Sequence, residues 1–234
     1  MDFNTGSSPE GAASSGGSSG GSGGAPPRMA ATPGGEFDYR DPIQSFIRTA
    51  IAVITQPVGF FRGIQRQGDF INPLIFAVIC AVISGLLSGI LGFLIALVSN
   101  SGAGAAFGSL FGAIFIVPIA TAIGLFIGAG IYYLLVMFLI KPNSGFEATF
   151  RVVAYASAVQ LVSWLSAIPI LGILIAIVVG LYSLYLVVMG IREVHATTTG
   201  RAAIVVLIPP IVLGILALIF GIVLVGIFAA LSQQ

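Results

Sequence analysis

The sequence predicts an all-α membrane protein, a polytopic bundle of five transmembrane helices with a juxtamembrane amphipathic segment on its cytoplasmic side. Three observations predict it. Of 234 residues, 57% are hydrophobic and only 7% are charged, against roughly 25% charged in an ordinary soluble domain. The stretches Phe70–Ile140, Val152–Ile191 and Ala202–Gln234 contain no Asp, Glu, Lys or Arg. All nine cations, namely Arg28, Arg40, Arg48, Arg62, Arg66, Lys141, Arg151, Arg192 and Arg201, precede the first charge-free run or flank the two junctions between runs. So few charges cannot cover a soluble globule, and nine Lys+Arg against eight Asp+Glu leave no basic face for nucleic acid.

The chain opens on a tail. Residues 1–35 are mostly Gly, Ser, Ala and Pro; they bury too little to offset chain entropy, and a disordered cytoplasmic tail is expected over 1–41. No apolar stretch follows Met1, so the first span is expected to serve as an uncleaved anchor. A collar over 42–72 comes next. Ile43, Phe46, Ile47, Ala50, Ile51 and Ile54 repeat at helical spacing, with Gln44, Arg48 and Thr49 on the other face. This amphipathic helix either lies on the membrane surface or packs against the cytoplasmic end of the bundle. After Pro57 a second short segment carries Phe60 and Phe61 beside Arg62 and Arg66, cations able to reach lipid phosphates.

The membrane domain occupies 73–234. A span needs about 20 apolar residues, so the first two runs hold two spans each and the last holds one. The first run breaks at Ser99-Asn100-Ser101-Gly102-Ala103-Gly104, the second at the Ala167-Ile168-Pro169 step, because proline removes a helical N–H and restricts the residue before it. The expected spans are about 74–98, 109–140, 150–168, 170–190 and 203–231, the last kinked at Pro209-Pro210. The second exceeds the length required, and the glycine-rich stretch around Pro118 leaves room for an extra break. Two crossings per run return both junctions to the side of the N-terminus. All cations then share one side, which the positive-inside rule makes the cytoplasm.

Inside the bundle, small residues recur at four-residue spacing: Gly85/Gly89, Gly104/Gly108/Gly112 and Gly124/Gly128. Such spacing permits close helix approach, within the chain or between copies. Gln160 is the most polar side chain within a span and is expected to hydrogen-bond across helices. No ionisable group of the kind a proton relay or intramembrane protease would require lies in the interior of a span, Arg151 standing at the very start of the third. A single cysteine, Cys80, and a single histidine, His195, exclude a disulfide framework and a Cys/His metal cluster. No catalytic, cofactor or metal residue is expected. The remaining candidates face the cytoplasm: Arg62, Arg66, Lys141, Glu147, Arg151, Arg192, Glu193, His195 and Arg201. Glu147 and Arg151 have the i, i+4 order of a helical ion pair.

Three stretches carry a family resemblance: Pro57–Arg62 leading to Phe70–Phe76, then Gly145–Ala156 (GFEATFRVVAYA), then Tyr182–Tyr185 through Gly190–His195 (GIREVH) to Gly200-Arg201-Ala202. Together, over roughly 43–230, the sequence resembles the Yip1-domain family and looks like its bacterial type. The resemblance implies five spans and a cytosolic N-terminus, in the bacterial inner membrane or, for a eukaryotic chain, in the Golgi or endoplasmic reticulum. Eukaryotic relatives bind prenylated Rab GTPases and each other. Their Asp-Leu-Tyr-Gly-Pro motif has no counterpart here beyond Asp41-Pro42, so Rab binding is not carried over. The expected function is a non-enzymatic membrane scaffold or adaptor in membrane organisation or trafficking. Its expected partners are the lipid bilayer, a cytosolic or membrane protein and a second copy of itself. The alternatives are a transporter or channel for a small or lipidic solute, and a membrane-shaping protein.

Overall fold

A computed structural model of the chain describes residues 35–98, 103–168 and 171–231. Two short helices, α1 (Pro42–Thr55) and α2 (Pro57–Gly63), precede α3 (Ile71–Val98). Each short helix starts on a proline, whose missing N–H is no loss in a first turn. Next come α4 (Ala103–Phe111), a π-helical turn at Gly112–Ile116 and α5 (Val117–Leu139). α6 (Phe146–Ala156) tightens into a 3-10 helix over Ser157–Ala167, and α7 (Leu171–Val194) and α8 (Thr199–Leu231) complete the order. Among the described residues five segments are long and apolar enough to cross a membrane: Ile71–Val98, Gly112–Leu139, Phe146–Ala167, Leu171–Val194 and Thr199–Val225.

The second span stays whole where the sequence leaves room for a break. Pro118 has no N–H to continue the regular ladder, and the helix widens just before it. The Val117 N–H reaches back five residues to the Gly112 carbonyl, and the π turn absorbs the mismatch without ending the helix. Pro209 and Pro210 likewise lie inside a continuous α8.

The third span is the most enclosed of the five, and its second half is not α-helical. Side chains three residues apart eclipse in a 3-10 helix, so Ser157, Gln160, Ser163 and Ser166 fall in single file. Ser157 donates to the Ala154 carbonyl at 2.6 Å, Ser163 to that of Gln160 at 2.8 Å, and Ser166 to that of Ser163 at 2.6 Å. These bonds satisfy hydroxyls that would otherwise face lipid. Ser163 also meets Ser84 of α3, Oγ to Oγ, at 2.7 Å.

Packing is densest where the collar meets the bundle. The Phe76 ring stacks against those of Phe46, Tyr155 and Phe37, with centroids 5.2, 5.3 and 6.0 Å away. Phe60, Phe61, Ile191 and Val205 are buried in the same cluster. Beyond Pro210, by contrast, Ile211, Leu213, Leu216 and Phe220 are all exposed, an apolar surface for hydrocarbon.

Two sequence expectations change in the collar. The tail was drawn to residue 41, but Glu36 and Phe37 are buried, so ordered structure begins before Pro42. Helix α1, in turn, packs one face against the bundle, one of the two placements the sequence left open, and leaves the other face exposed. Its inward face is Ser45, Thr49, Ala50 and Val53, while Ile43, Ile47 and Ile51 point outward. The inward hydroxyls have partners: Ser45 donates to the Asp38 carbonyl at 3.0 Å, and Thr49 to that of Gly35 at 2.9 Å.

The glycines divide as well. A Cβ on Gly85 would lie 3.4 Å from Val117 Cγ1, in ordinary contact, so α3 packs on the second span there. Gly89, one turn further along α3, is buried where Gly85 is only partly so, and lies in the wall of a cavity of about 470 Å³ that Gly85, Gly108 and Gly112 also line. The spacing of Gly85 and Gly89 therefore marks a face of α3 that borders a hollow as well as a neighbouring helix, rather than a closed helix contact along its length. At Gly104, Gly108, Gly112, Gly124 and Gly128 an added Cβ meets nothing within 4 Å. Their spacing does not mark a helix contact within the chain. A close approach between helices is at Gly190, where a Cβ would overlap the Val152 side chain of α6, 2.9 Å from Cγ2 and nearer still to Cγ1, and at Gly172 a Cβ would fall on the Ser166 carbonyl.

Candidate functional site

The site begins at Glu36, the first acidic residue after the Gly/Ser/Pro run. The segment from Gly35 is tied down by the α1 hydroxyls and by Asn72, whose Oδ1 accepts the Tyr39 N–H at 3.1 Å. Glu36 is thereby turned inward to meet Arg151. Both side chains are about 2% exposed, and Arg151 Nη1 donates to Glu36 Oε2. Arg151 Nη2 donates to the Asp69 carbonyl at 2.9 Å and to its carboxylate at 3.3 Å. Tyr155, one helical turn along α6, donates its hydroxyl to Glu36 at 3.0 Å, and the Gln65 N–H donates to Glu36 Oε1 at 2.5 Å. Buried charges are tolerated when paired and hydrogen-bonded, as both Nη atoms of Arg151 are, its Nε being left without a partner. One buried guanidinium thus joins the pre-helix segment, the loop after α2 and the third span.

Gly68 covers this guanidinium. Its φ is +141°, a region that favours glycine, and a Cβ would lie 2.7 Å from Arg151 Nη2. The i, i+4 ion pair between Glu147 and Arg151 is absent. Glu147 instead accepts the Gly68 N–H at 2.9 Å, and Arg151 turns into the core, where Glu36 and Asp69 outcompete a solvent-facing neighbour. Arg151 is therefore a clasp rather than an exposed contact.

A second cluster joins the collar to the later junction. Glu193 accepts from Arg62 at 3.1 Å and from Arg192 at 2.5 Å, and Arg66 reaches the Glu193 carbonyl at 3.5 Å. Ser144 donates to the Val194 carbonyl at 2.6 Å, linking the two junctions. The collar and both junctions therefore meet at one end of the bundle. The Arg62 side chain is 69% exposed, so that pair contributes little to stability.

His195 is 2% exposed; its Nε2 lies 3.0 Å from Thr149 Oγ1, and its Nδ1 has no partner. Burial, helped by the charge of Arg66, lowers the imidazole from its usual 6.5 to about 4. It is neutral at pH 7. Below pH 6.5 the unfolded chain takes up a proton that the folded chain refuses until about pH 4, so this group destabilises the fold as pH falls through that window. The limiting slope for one such group is about 1.4 kcal/mol per pH unit. Melting in detergent from pH 7 to pH 4.5 will show a smaller acid loss for His195→Gln than for wild type; equal losses would remove His195 as a cause.

Lys141 and Arg201 are exposed and line a separate cavity with His195. Gln160 lines two cavities, of about 280 and 470 Å³, the larger being the one that Gly89 borders. Among the described residues no three His, Cys, Asp or Glu are grouped as metal ligands.

Sequence reasoning missed Glu36, Gly68, Asp69 and Tyr155. The available signal was the abrupt Glu36-Phe37 that ends the low-complexity run, since an acid and a large aromatic there have no place in a solvated tail. The family model described as Yip1 domain matches residues 51–221. Comparison with curated proteins and with solved structures gives no match.

Proposed function

The chain belongs to the Yip1 domain family, and from that premise we propose that this multi-pass membrane protein is a non-enzymatic scaffold or adaptor with its collar and junctions in the cytoplasm. The clasp carries the reading. A buried Arg151–Glu36 pair holds the collar to the third span, so that Arg62, Arg66 and Glu193 form a cap of fixed shape for a protein partner. Positively charged junctions favour the cytoplasmic side. In a Cys80→Ala background, cysteines at Ser144 and Thr198 should label from the cytoplasm, and labelling from the opposite face would reverse the orientation.

Crosslinking and pull-down of the full chain from solubilised native membrane test the adaptor role. Arg62→Ala with Arg66→Ala should deplete partners that wild type retains, with melting temperature unchanged. An identical partner set in the folded variant would refute the proposed surface. One observation favours a second reading, a transporter for a small uncharged solute: the file Ser157, Gln160, Ser163 touches both intramembrane cavities. Flux across liposomes that depends on Gln160 would support it, and none for a panel of polyols and amides would count against it.

A further inference from the structure

Beside the ion-paired cluster, a cavity of about 540 Å³ opens between the end of the second span and the start of the fifth. Lys141, His195, Thr198 and Arg201 are in its wall, and no carboxylate is. Among the described residues neither Lys141 nor Arg201 has an acidic partner, whereas Arg62, Arg151 and Arg192 do. Two unneutralised cations on one hollow raise its potential and favour an anion. Lys141 also holds φ at +65°, a conformation in which glycine is the usual residue at a helix end; lysine is kept there at a conformational cost.

The same hollow receives the start of α8. Thr198 Oγ1 accepts the Arg201 N–H at 3.5 Å, a weak cap that leaves the N–H groups of Thr199 and Gly200 without intrahelical partners. A Cβ on Gly200 would meet nothing within 4 Å, so the backbone there is open to approach. The helix dipole adds positive potential at this end.

An independent observation comes from His195. It lies almost wholly buried in the cavity wall, its Nε2 occupied by Thr149 and its Nδ1 unpartnered. Whichever tautomer the ring holds, Nδ1 is a buried polar atom without a partner, an arrangement proteins avoid unless something else supplies one.

We propose that this cavity is a phosphate-binding site, holding a phosphoryl group between Lys141 and Arg201 beside the start of α8, with His195 in its wall. The phosphoryl group is that of an anionic lipid or of a free phosphate compound; the chemistry is shared, and the site's place at the end of the spans brings a lipid headgroup within reach. The proposal does not depend on the adaptor reading, because it concerns neither Arg62 nor Arg66.

The test uses the full chain in dodecyl maltoside, with melting temperature followed against three probes: inorganic phosphate, dioctanoylphosphatidic acid and dioctanoylglycerol. A saturable rise is expected with a phosphate-bearing probe and none with dioctanoylglycerol. A rise with dioctanoylphosphatidic acid alone assigns the site to a lipid headgroup, and an equal rise with inorganic phosphate assigns it to free phosphate. Lys141→Gln with Arg201→Gln should weaken the apparent affinity at least about tenfold, and Lys141→Arg with Arg201→Lys should retain it. If the double glutamine variant does not fold, Lys141→Gln alone decides, since that side chain is exposed and unpaired. The proposal is overturned by the absence of a saturable shift with either phosphate probe, by an equal shift with dioctanoylglycerol, or by affinity that survives the glutamine substitutions.

Discussion

Arg151→Ala will destabilise the protein by about 3–5 kcal/mol, because removing one partner leaves a buried charge uncompensated. The stranded group is Glu36, 2% exposed, together with the Tyr155 hydroxyl and Gln65 N–H that were oriented around it. The measurement is melting temperature and the yield of monodisperse protein in detergent. Glu36→Gln with Arg151→Met removes both charges and should recover a large part of the loss. Wild-type melting of Arg151→Ala would show that the pair contributes nothing to the fold. Limited proteolysis adds a local readout, since a released collar should be cut between Gly35 and Phe70 before the spans are affected.

Gly190→Ala is the second large effect. The added methyl would overlap the Val152 side chain, which is itself fully buried, and overpacking of a tight contact costs about 1–3 kcal/mol. Val152→Ala in the same chain should relieve most of it, a coupling that a double-mutant cycle reads directly. If Gly190→Ala melts with wild type, or Val152→Ala fails to relieve it, the α6–α7 contact is looser than described. Gly124→Ala is the matched control: its position is open, and the substitution should be close to neutral.

The positions of charge made five spans legible because ionised groups are excluded from hydrocarbon wherever the chain crosses it. The contacts that lock those spans together were not legible by the same route. Arg151 has an acidic neighbour at Glu147 and another at Glu36, far off in the chain; helical spacing favoured the first, and only the folded collar selects the second. Four-residue glycine spacing fell on the buried Gly89 of α3, but equally on Gly104–Gly112 and Gly124/Gly128, which meet open space. It passed over Gly190, whose partner lies on another helix. Spacing describes one helix face but does not say which face finds a neighbour. For α1 the hydrophobic stripe was visible, but the burial of Ser45 and Thr49 depended on a preceding segment read as tail. The 3-10 half of the third span was hidden because helix propensity does not separate 3-10 from α; its trace is the three-residue period of Ser157, Gln160, Ser163 and Ser166.

That tightened segment also sets how far the third span reaches. A 3-10 helix rises about 2.0 Å per residue and an α-helix about 1.5 Å. The span from Phe146 to Ala167, the shortest of the five at 22 residues, therefore extends about 38 Å rather than the roughly 33 Å of a uniform α-helix, against a hydrocarbon core of about 30 Å. Rewinding Ser157–Ala167 into α-helix would retract one end by about 5 Å, the scale on which thin and thick cellular membranes differ. The third span thus exceeds the hydrocarbon core by about 8 Å while having the fewest residues of the five.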